Sequence, residues 1–304
     1  MLCHRAQRGI EGFGDVEEWR RTLRELRYAA WRLGSETASR MLVIHTIRCN
    51  NIQLEKSHVI GKVAHRPIWR AIDLSTELRG DLTVASFKVH MVPGSPFARA
   101  VCATLEEKEA SYDIVPVAPG TMKQEQHLSR HPFGRVPVLD HDGFTLYETQ
   151  AILRYVDRVL PSPPLAPNDP KAAARMDQVM GVSDWYLFQG VANVISFQRI
   201  VGPRIRGLVP DEKVIAEAMP RARTVMAELS RLLGSRDYFA GAGLSLADLH
   251  VAPHLDLLAK TPEWAALSES AGNVAAWLER MVARPSMAAT TWENAAAKAA
   301  SPSS

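Results

Sequence analysis

The chain has 304 residues, 46% of them apolar, and 36 Lys and Arg against 33 Asp and Glu give a formal net charge of +3. It is long enough for two domains with sizeable cores, and so nearly balanced a charge gives no general reason to expect a nucleic-acid partner. Cys3, Cys49 and Cys102 form no close pair, which argues for a reducing compartment and against a disulfide scaffold or a cysteine zinc site. No apolar run approaches the roughly 18 residues a membrane helix needs. A soluble, cytoplasmic protein with no membrane partner is the expectation.

The charge is uneven. Residues 1–82 hold 14 Lys and Arg against 10 Asp and Glu, and the remainder 22 against 23. Glu17 to Leu33 can be drawn as an amphipathic helix, with Val16, Trp19, Leu23, Leu26, Ala30 and Leu33 on one side and arginines between them. Such a helix suits a membrane surface or a targeting peptide. Against targeting, Glu11, Asp15, Glu17, Glu18 and Glu25 are too many acids for a transit sequence. After Gly34 the pattern dissolves, so 1–82 is read as a poorly ordered extension of unknown role.

Residues 83–161 are orderly. Val84 to Val92 reads as a buried strand ended by Pro93-Gly94. Ser95-Pro96 has the form of a helix start, a side-chain oxygen at the N-cap and proline at the first helical position. Ala98, Val101, Cys102 and Leu105 give that helix an apolar face ending near Lys108. Tyr112 to Val117 reads as a second strand and Thr121 to Arg130 as a short helix. In HPFGRVPVLDHDGFTLYET, residues 131–149, Val136, Val138 and Leu139 suit a strand, Asp142-Gly143 a hairpin, and Phe144, Leu146 and Tyr147 a returning strand. A helix then opens at Glu148-Thr149 and runs to Leu160. The order β-α-β-α-β-β-α, with the first two strands parallel by the crossover rule, is a thioredoxin-like α/β domain. Pro137 cannot donate to a ladder, so it belongs at an edge or bend; either a trans edge proline or a cis bond to Val136 fits.

Proline-rich residues 162–170 form a linker. Beyond it no convincing strand appears, and 171–292 reads as all-helical. Ala172 to Phe197 is long and aromatic-rich, and Asp211 to Leu233 is a second long helix with Pro220 implying a kink or a late start. Ser245 to Asp248 has capping-box spacing with Asp in place of Glu. Ala275 to Arg284 is the last helix, stopped by Pro285, and 293–304 are left as a tail.

The chain from about Val84 to Trp292 resembles the cytosolic glutathione transferases, most closely their serine-type, phi-like members. The resemblance is carried by Ser95 after the first strand, HPFGRVPVLD at 131–140, LYETQAILRY at 146–155, GLSLADLH at 243–250 and AAWLERMVARPSM at 275–287, in that order and spacing. It implies an α/β thioredoxin-like domain followed by an all-α domain. It also implies an enzyme of detoxification that uses glutathione as co-substrate and conjugates its thiolate to a small apolar electrophile. A homodimer is implied as well. Glutathione-dependent isomerisation or peroxide reduction, or a non-catalytic binding or scaffold protein, are alternatives on the same fold.

Read through the resemblance, Ser95 is the catalytic residue. On residues alone it is a helix cap; as the family's serine, it would hydrogen-bond the glutathione sulfur while the helix dipole favours the thiolate. Each unit by which the thiol pKa falls requires about 1.4 kcal/mol of preferential thiolate stabilisation. Glu148 and Thr149 match the acidic–hydroxyl pair that would hold the γ-glutamyl ammonium and carboxylate at a helix N-terminus. Val136, with Pro137 cis, would pair its backbone with the cysteinyl part. Lys123 matches a basic residue for the glycine carboxylate, and Arg135 stands where Gln is frequent. Met122 replaces a frequent His, so one contact of the pattern is lost.

Met91, Phe97, Trp185, Tyr186 and Phe188 are candidates for the electrophile wall, with ordinary core packing as the competing reading. Cys102 lies two helical turns beyond Ser95 and reads as a small core residue. His127 with His131, and His250 with His254, share helix faces by spacing. Neither pair has further ligands at motif spacing, and no metal site is expected.

Overall fold

The computed structural model describes residues 87–118 and 120–301; the extension read over 1–82 lies outside them. Strand β1 (Phe87–Met91) is buried along nearly its whole length and is flanked on both sides. It pairs parallel with β2 (Tyr112–Pro116) and antiparallel with β3 (Val138–His141), and β3 pairs antiparallel with β4 (Phe144–Tyr147). The sheet order is β2-β1-β3-β4. Asp142 and Gly143 both have positive φ, 49° and 82°, the geometry of the tight hairpin turn that matches strand twist.

Helix α1 (Pro96–Glu107) crosses from β1 to β2. Its predicted apolar face, Ala98, Val101, Cys102 and Leu105, is fully buried. At full burial each Val or Leu contributes about 1.5–3 kcal/mol. The region 121–130 forms a 3₁₀ turn (Thr121–Lys123) and the short α2 (Glu125–Leu128), and α3 (Thr149–Val159) follows the hairpin.

After the linker, α4 (Pro170–Val182) is capped by Asp169, whose side chain accepts from Ala172 N. The expected unbroken helix over Ala172–Phe197 is interrupted. Gln189 (ψ 111°) and Gly190 (φ +81°) leave helical geometry, and the Asn193 side chain accepts from Gly190 N at 2.6 Å. The left-handed glycine ends one helical run, its N–H held by the Asn193 side chain, and the chain continues through α5 (Asn193–Ser196) to α6 (Gly202–Arg206) on a new course. Helix α7 (Glu212–Leu233), capped by Asp211, runs through Pro220 with no late start. Helix α8 (Leu246–Leu258) likewise runs through Pro253 and is buried almost all round. At its start the buried Asp248 accepts from Ser245 N and Oγ, Phe239 N and Trp277 Nε1. Helix α8 packs along α1.

The C-terminal end differs from expectation. After α9 (Trp264–Ser268) and α10 (Gly272–Val282), Pro285 does not end the helical region but occupies the first turn of α11 (Pro285–Ala289). Residues 293–304, read as a tail, contain most of α12 (Trp292–Ala300), capped by Thr291 through Asn294 N at 3.3 Å. Lys298 of α12 sits over the Tyr112 ring at 3.4 Å, and Trp292 receives the Arg204 guanidinium at 4.0 Å. These cation–π contacts tie the last helix to both β2 and α6.

Candidate functional site

A cleft of about 1020 Å³ opens where the C-terminal ends of β1 and α1's first turn meet the interrupted helical stretch. Ser95, Arg135, Val136, Pro137, Glu148 and Thr149 all line it. Lys123 does not. It stands at the rim, exposed, with Nζ donating to the Phe133 carbonyl at 2.9 Å.

Ser95 caps α1: its Oγ accepts from Ala98 N at 3.3 Å. That bond uses a lone pair and leaves the hydroxyl hydrogen to be donated into the cleft. The tight turn before it needs Gly94, whose φ is +91° and whose added Cβ would lie 2.5 Å from the Trp292 ring. The serine is thus presented on a backbone pressed against α12.

The loop 131–137 is held from behind. His127 Nε2 donates to the Arg135 carbonyl at 2.8 Å, and Gly134, at φ +58°, lets the Met122 carbonyl approach where a Cβ would meet it at 2.5 Å. The Val136–Pro137 bond is cis, and the β3 ladder begins only at Val138. Thr149, buried, is the first residue of α3, and among the described residues no side chain caps the N–H groups of that first turn. They remain free to receive a carboxylate. Exposed Glu148 sits just before them at φ 72°, ψ 113°, a backbone conformation costly for a residue with a Cβ.

Comparison with known proteins identifies the family. Residues 85–158 match the family model for the glutathione S-transferase N-terminal domain and 194–285 that for the C-terminal domain. A glutathione S-transferase of Hyoscyamus muticus is 33% identical over 202 residues, covering 65% of this chain and 94% of that protein. The chain belongs to the glutathione S-transferase family. A probable glutathione S-transferase of rice, GSTF2, is 36% identical over 187 residues, 60% of this chain and 86% of that protein. The crystal structure of glutathione transferase F7 from Populus trichocarpa superposes with a TM-score of 0.61 at 30% identity, covering 70% of this chain and 99% of that one. The relatives are phi-class, and the thioredoxin-like and all-helical parts are those of the family.

In this transferase the other end of the cleft is apolar and aromatic. Phe97 and Phe188 meet edge to face at 4.7 Å, and both line the cleft with Trp185, Phe197, Ile205 and Trp292. Two expected wall residues are elsewhere. Met91 is 1% exposed and packs in the core against the Cys102 sulfur, because β1 alternates and Met91 faces α1. Tyr186 is 55% exposed and not on the cleft, because it lies beside Trp185 on a helical turn that directs it outward. Phe197 was legible as an aromatic on the right stretch, and Trp292 as the residue after a Thr cap. Val201 and Ile205 carry no signal that separates them from core.

Cys102 is the core residue its position implies: it is buried, and burial pushes its thiol up to about 12. The histidine pairs separate. His131 lines the cleft, and burial, with His127 and Arg135 nearby, holds its imidazole below the usual value. His250 is bound to Asp184 at 2.6 Å. Burial alone would raise the Asp184 carboxyl, but the bonds from His250 and from Gln150 Nε2 at 2.7 Å hold it below the usual carboxylate range. This Gln150–Asp184–His250 chain links the residue after Thr149 to α8, and no spacing rule in the sequence pairs residues so far apart. Among the described residues no group of three or more His, Cys, Asp or Glu is arranged to hold a metal ion, and no helix is long and apolar enough to cross a membrane.

Proposed function

We propose that this glutathione transferase binds glutathione along β3 and the start of α3, and that Ser95 holds its sulfur as the reactive thiolate. The observation that carries the reading is the Ser95 hydroxyl, fixed as acceptor to Ala98 N and free as donor, at the N-terminus of α1. Its O–H would donate to the sulfur, and the helix dipole adds to the same effect. The γ-glutamyl carboxylate would take the uncapped N–H groups and hydroxyl of Thr149, and Glu148 would receive the ammonium. The free backbone of Val136 beside cis Pro137 would pair with the cysteinyl unit. Arg135 and Lys123 supply positive charge for the glycine carboxylate.

The thiol proton leaves to solvent. The sulfur lone pair then attacks an electrophilic carbon held against Phe97 and Phe188, forming the S–C bond as a leaving group departs with its electron pair. A hydrogen bond to a charged partner is worth about 1.5–3 kcal/mol, so Ser95→Ala should lower kcat/KM about 10- to 100-fold. The test is conjugation of glutathione to 1-chloro-2,4-dinitrobenzene by the wild type and Ser95→Ala. Turnover unaffected by the substitution would refute Ser95 as the activating residue.

We further propose a cytoplasmic homodimer. Phe133, 62% exposed, with Phe144 and Tyr186, supplies apolar surface of the kind a second copy covers.

A further inference from the structure

His254 is fully buried, and neither of its ring nitrogens has a hydrogen-bond partner among the described residues. It nevertheless forms part of the wall of the cleft. A buried donor left unmade is costly, and an imidazole always carries at least one N–H. Three rings enclose it: Phe97 edge to face at 4.6 Å, Phe188 at 5.7 Å and His250 at 5.9 Å. None of these satisfies it. Two offer only π-faces and edges, and His250, whose Nε2 is committed to Asp184, makes no bond to it through its Nδ1 either. The polar point is therefore set in the aromatic wall of the cleft that Ser95 also lines.

We propose that His254 is a specificity-determining residue whose ring N–H donates to an uncharged oxygen-bearing substituent, such as a nitro or carbonyl group, on an aromatic electrophile in this cleft. This rests on the transfer reading above. The Phe97 and Phe188 rings fit an aromatic body, edge to face or offset. Burial, reinforced by neighbouring His250 and opposed by Asp184, pushes the His254 pKa down to about 3. The ring is thus neutral at any working pH, and it offers a hydrogen bond but no charge. A site with a buried donor discriminates against the analogue that leaves it unpaired.

The test compares 4-nitrobenzyl chloride with benzyl chloride at saturating glutathione. The proteins are the wild type, His254→Phe and His254→Leu, which lack a donor, and His254→Asn, which keeps one. Comparing each variant with wild type on the same substrate cancels the intrinsic reactivity of the two chlorides. Loss of the donor should lower kcat/KM for the nitro compound about tenfold and leave benzyl chloride within about twofold, with His254→Asn retaining the preference. Ultraviolet absorbance of bound thiolate should be unchanged in all variants. Equal losses on both chlorides, or no loss on either, would make His254 a packing residue only. Loss of the thiolate band in His254→Phe or His254→Leu would move its role to glutathione and overturn the assignment. A wild type with neither thiolate band nor conjugation would sink the transfer reading itself, and this proposal with it.

Discussion

The buried pair Lys108–Asp157 holds the end of α1 to α3 and the linker, and its removal has a calculable cost. The Lys108 side chain is 0% exposed and its Nζ lies 2.5 Å from Asp157 Oδ1. The ammonium also donates to the Pro163 carbonyl. Asp157 in turn accepts from Leu165 N at 2.8 Å and Ala166 N at 3.1 Å. The two ends are therefore unequal. Asp157→Ala strips a buried ammonium of its carboxylate and leaves two linker N–H groups unmade, a loss of about 3–5 kcal/mol. Lys108→Met keeps most of the apolar stem, and Asp157 keeps two backbone donors, so the cost should be smaller, about 2 kcal/mol. For a folded unit of this size about 2–4 °C of Tm accompanies each kcal/mol. Asp157→Ala should then melt about 6–20 °C below wild type and Lys108→Met about 4–8 °C below. Thermal unfolding followed by far-ultraviolet circular dichroism reads both. A loss under about 1 kcal/mol for Asp157→Ala, the range of exposed pairs, or a larger loss for Lys108→Met, would refute the reasoning.

Two further outcomes follow from the same structure. Thr149→Ala should raise the KM for glutathione about tenfold or more by removing a hydroxyl from its charged carboxylate, while Thr149→Ser should stay within a few-fold; steady-state kinetics with varied glutathione would show it, and equal KM values for Ala and Ser would contradict it. Burial alone would raise the Glu107 carboxyl, but the hydrogen bonds from Arg284 and Ser286 outweigh it and hold the pKa below 4.5. A depressed acid contributes its stability above the unfolded value and loses it as pH falls through the folded one. Stability should decline on acidification below about pH 4.5, and Arg284→Met should flatten that decline. Urea midpoints between pH 6 and 3 that fall in parallel for both proteins would disprove the assignment.

The α/β part was readable because its signals are local. Ser95-Pro96 names a helix start, Asp142-Gly143 a hairpin, and Ala98 to Leu105 a buried face, each within a few residues. The helical part was readable only where caps are equally local, at Asp211 and at Ser245 with Asp248. Gln189-Gly190 went unread because a single glycine within an aromatic helical pattern is ordinarily tolerated at about 1 kcal/mol; here the Asn193 side chain makes the break stable. Pro285 suits both a helix end and a first turn, and Thr291 before Trp292 is the cap that marks the helical region continuing beyond it. Helix α8 runs through Pro253 because it is buried almost all round and its neighbours hold it through the missing bond.

The site shows the same division. Ser95, Arg135, Val136, Glu148 and Thr149 lie on one cleft because short motifs carry them. Lys123 is offset to the rim by its bond to Phe133. Asp184, His250 and His254 are assembled by tertiary packing between α8 and the interrupted stretch, which no one-dimensional spacing encodes. For the same reason the aromatic residues divided into core, cleft and surface only in three dimensions, Met91 inward, Phe97 and Phe188 to the cleft, Tyr186 outward.

The most direct measurement is the ultraviolet titration of enzyme-bound glutathione thiolate against pH in wild type and Ser95→Ala. A Ser95 hydroxyl donating to the sulfur predicts a bound thiol pKa clearly below that of free glutathione, returning toward the free value in Ser95→Ala with binding largely kept. An equal thiolate pKa in the two proteins would contradict it.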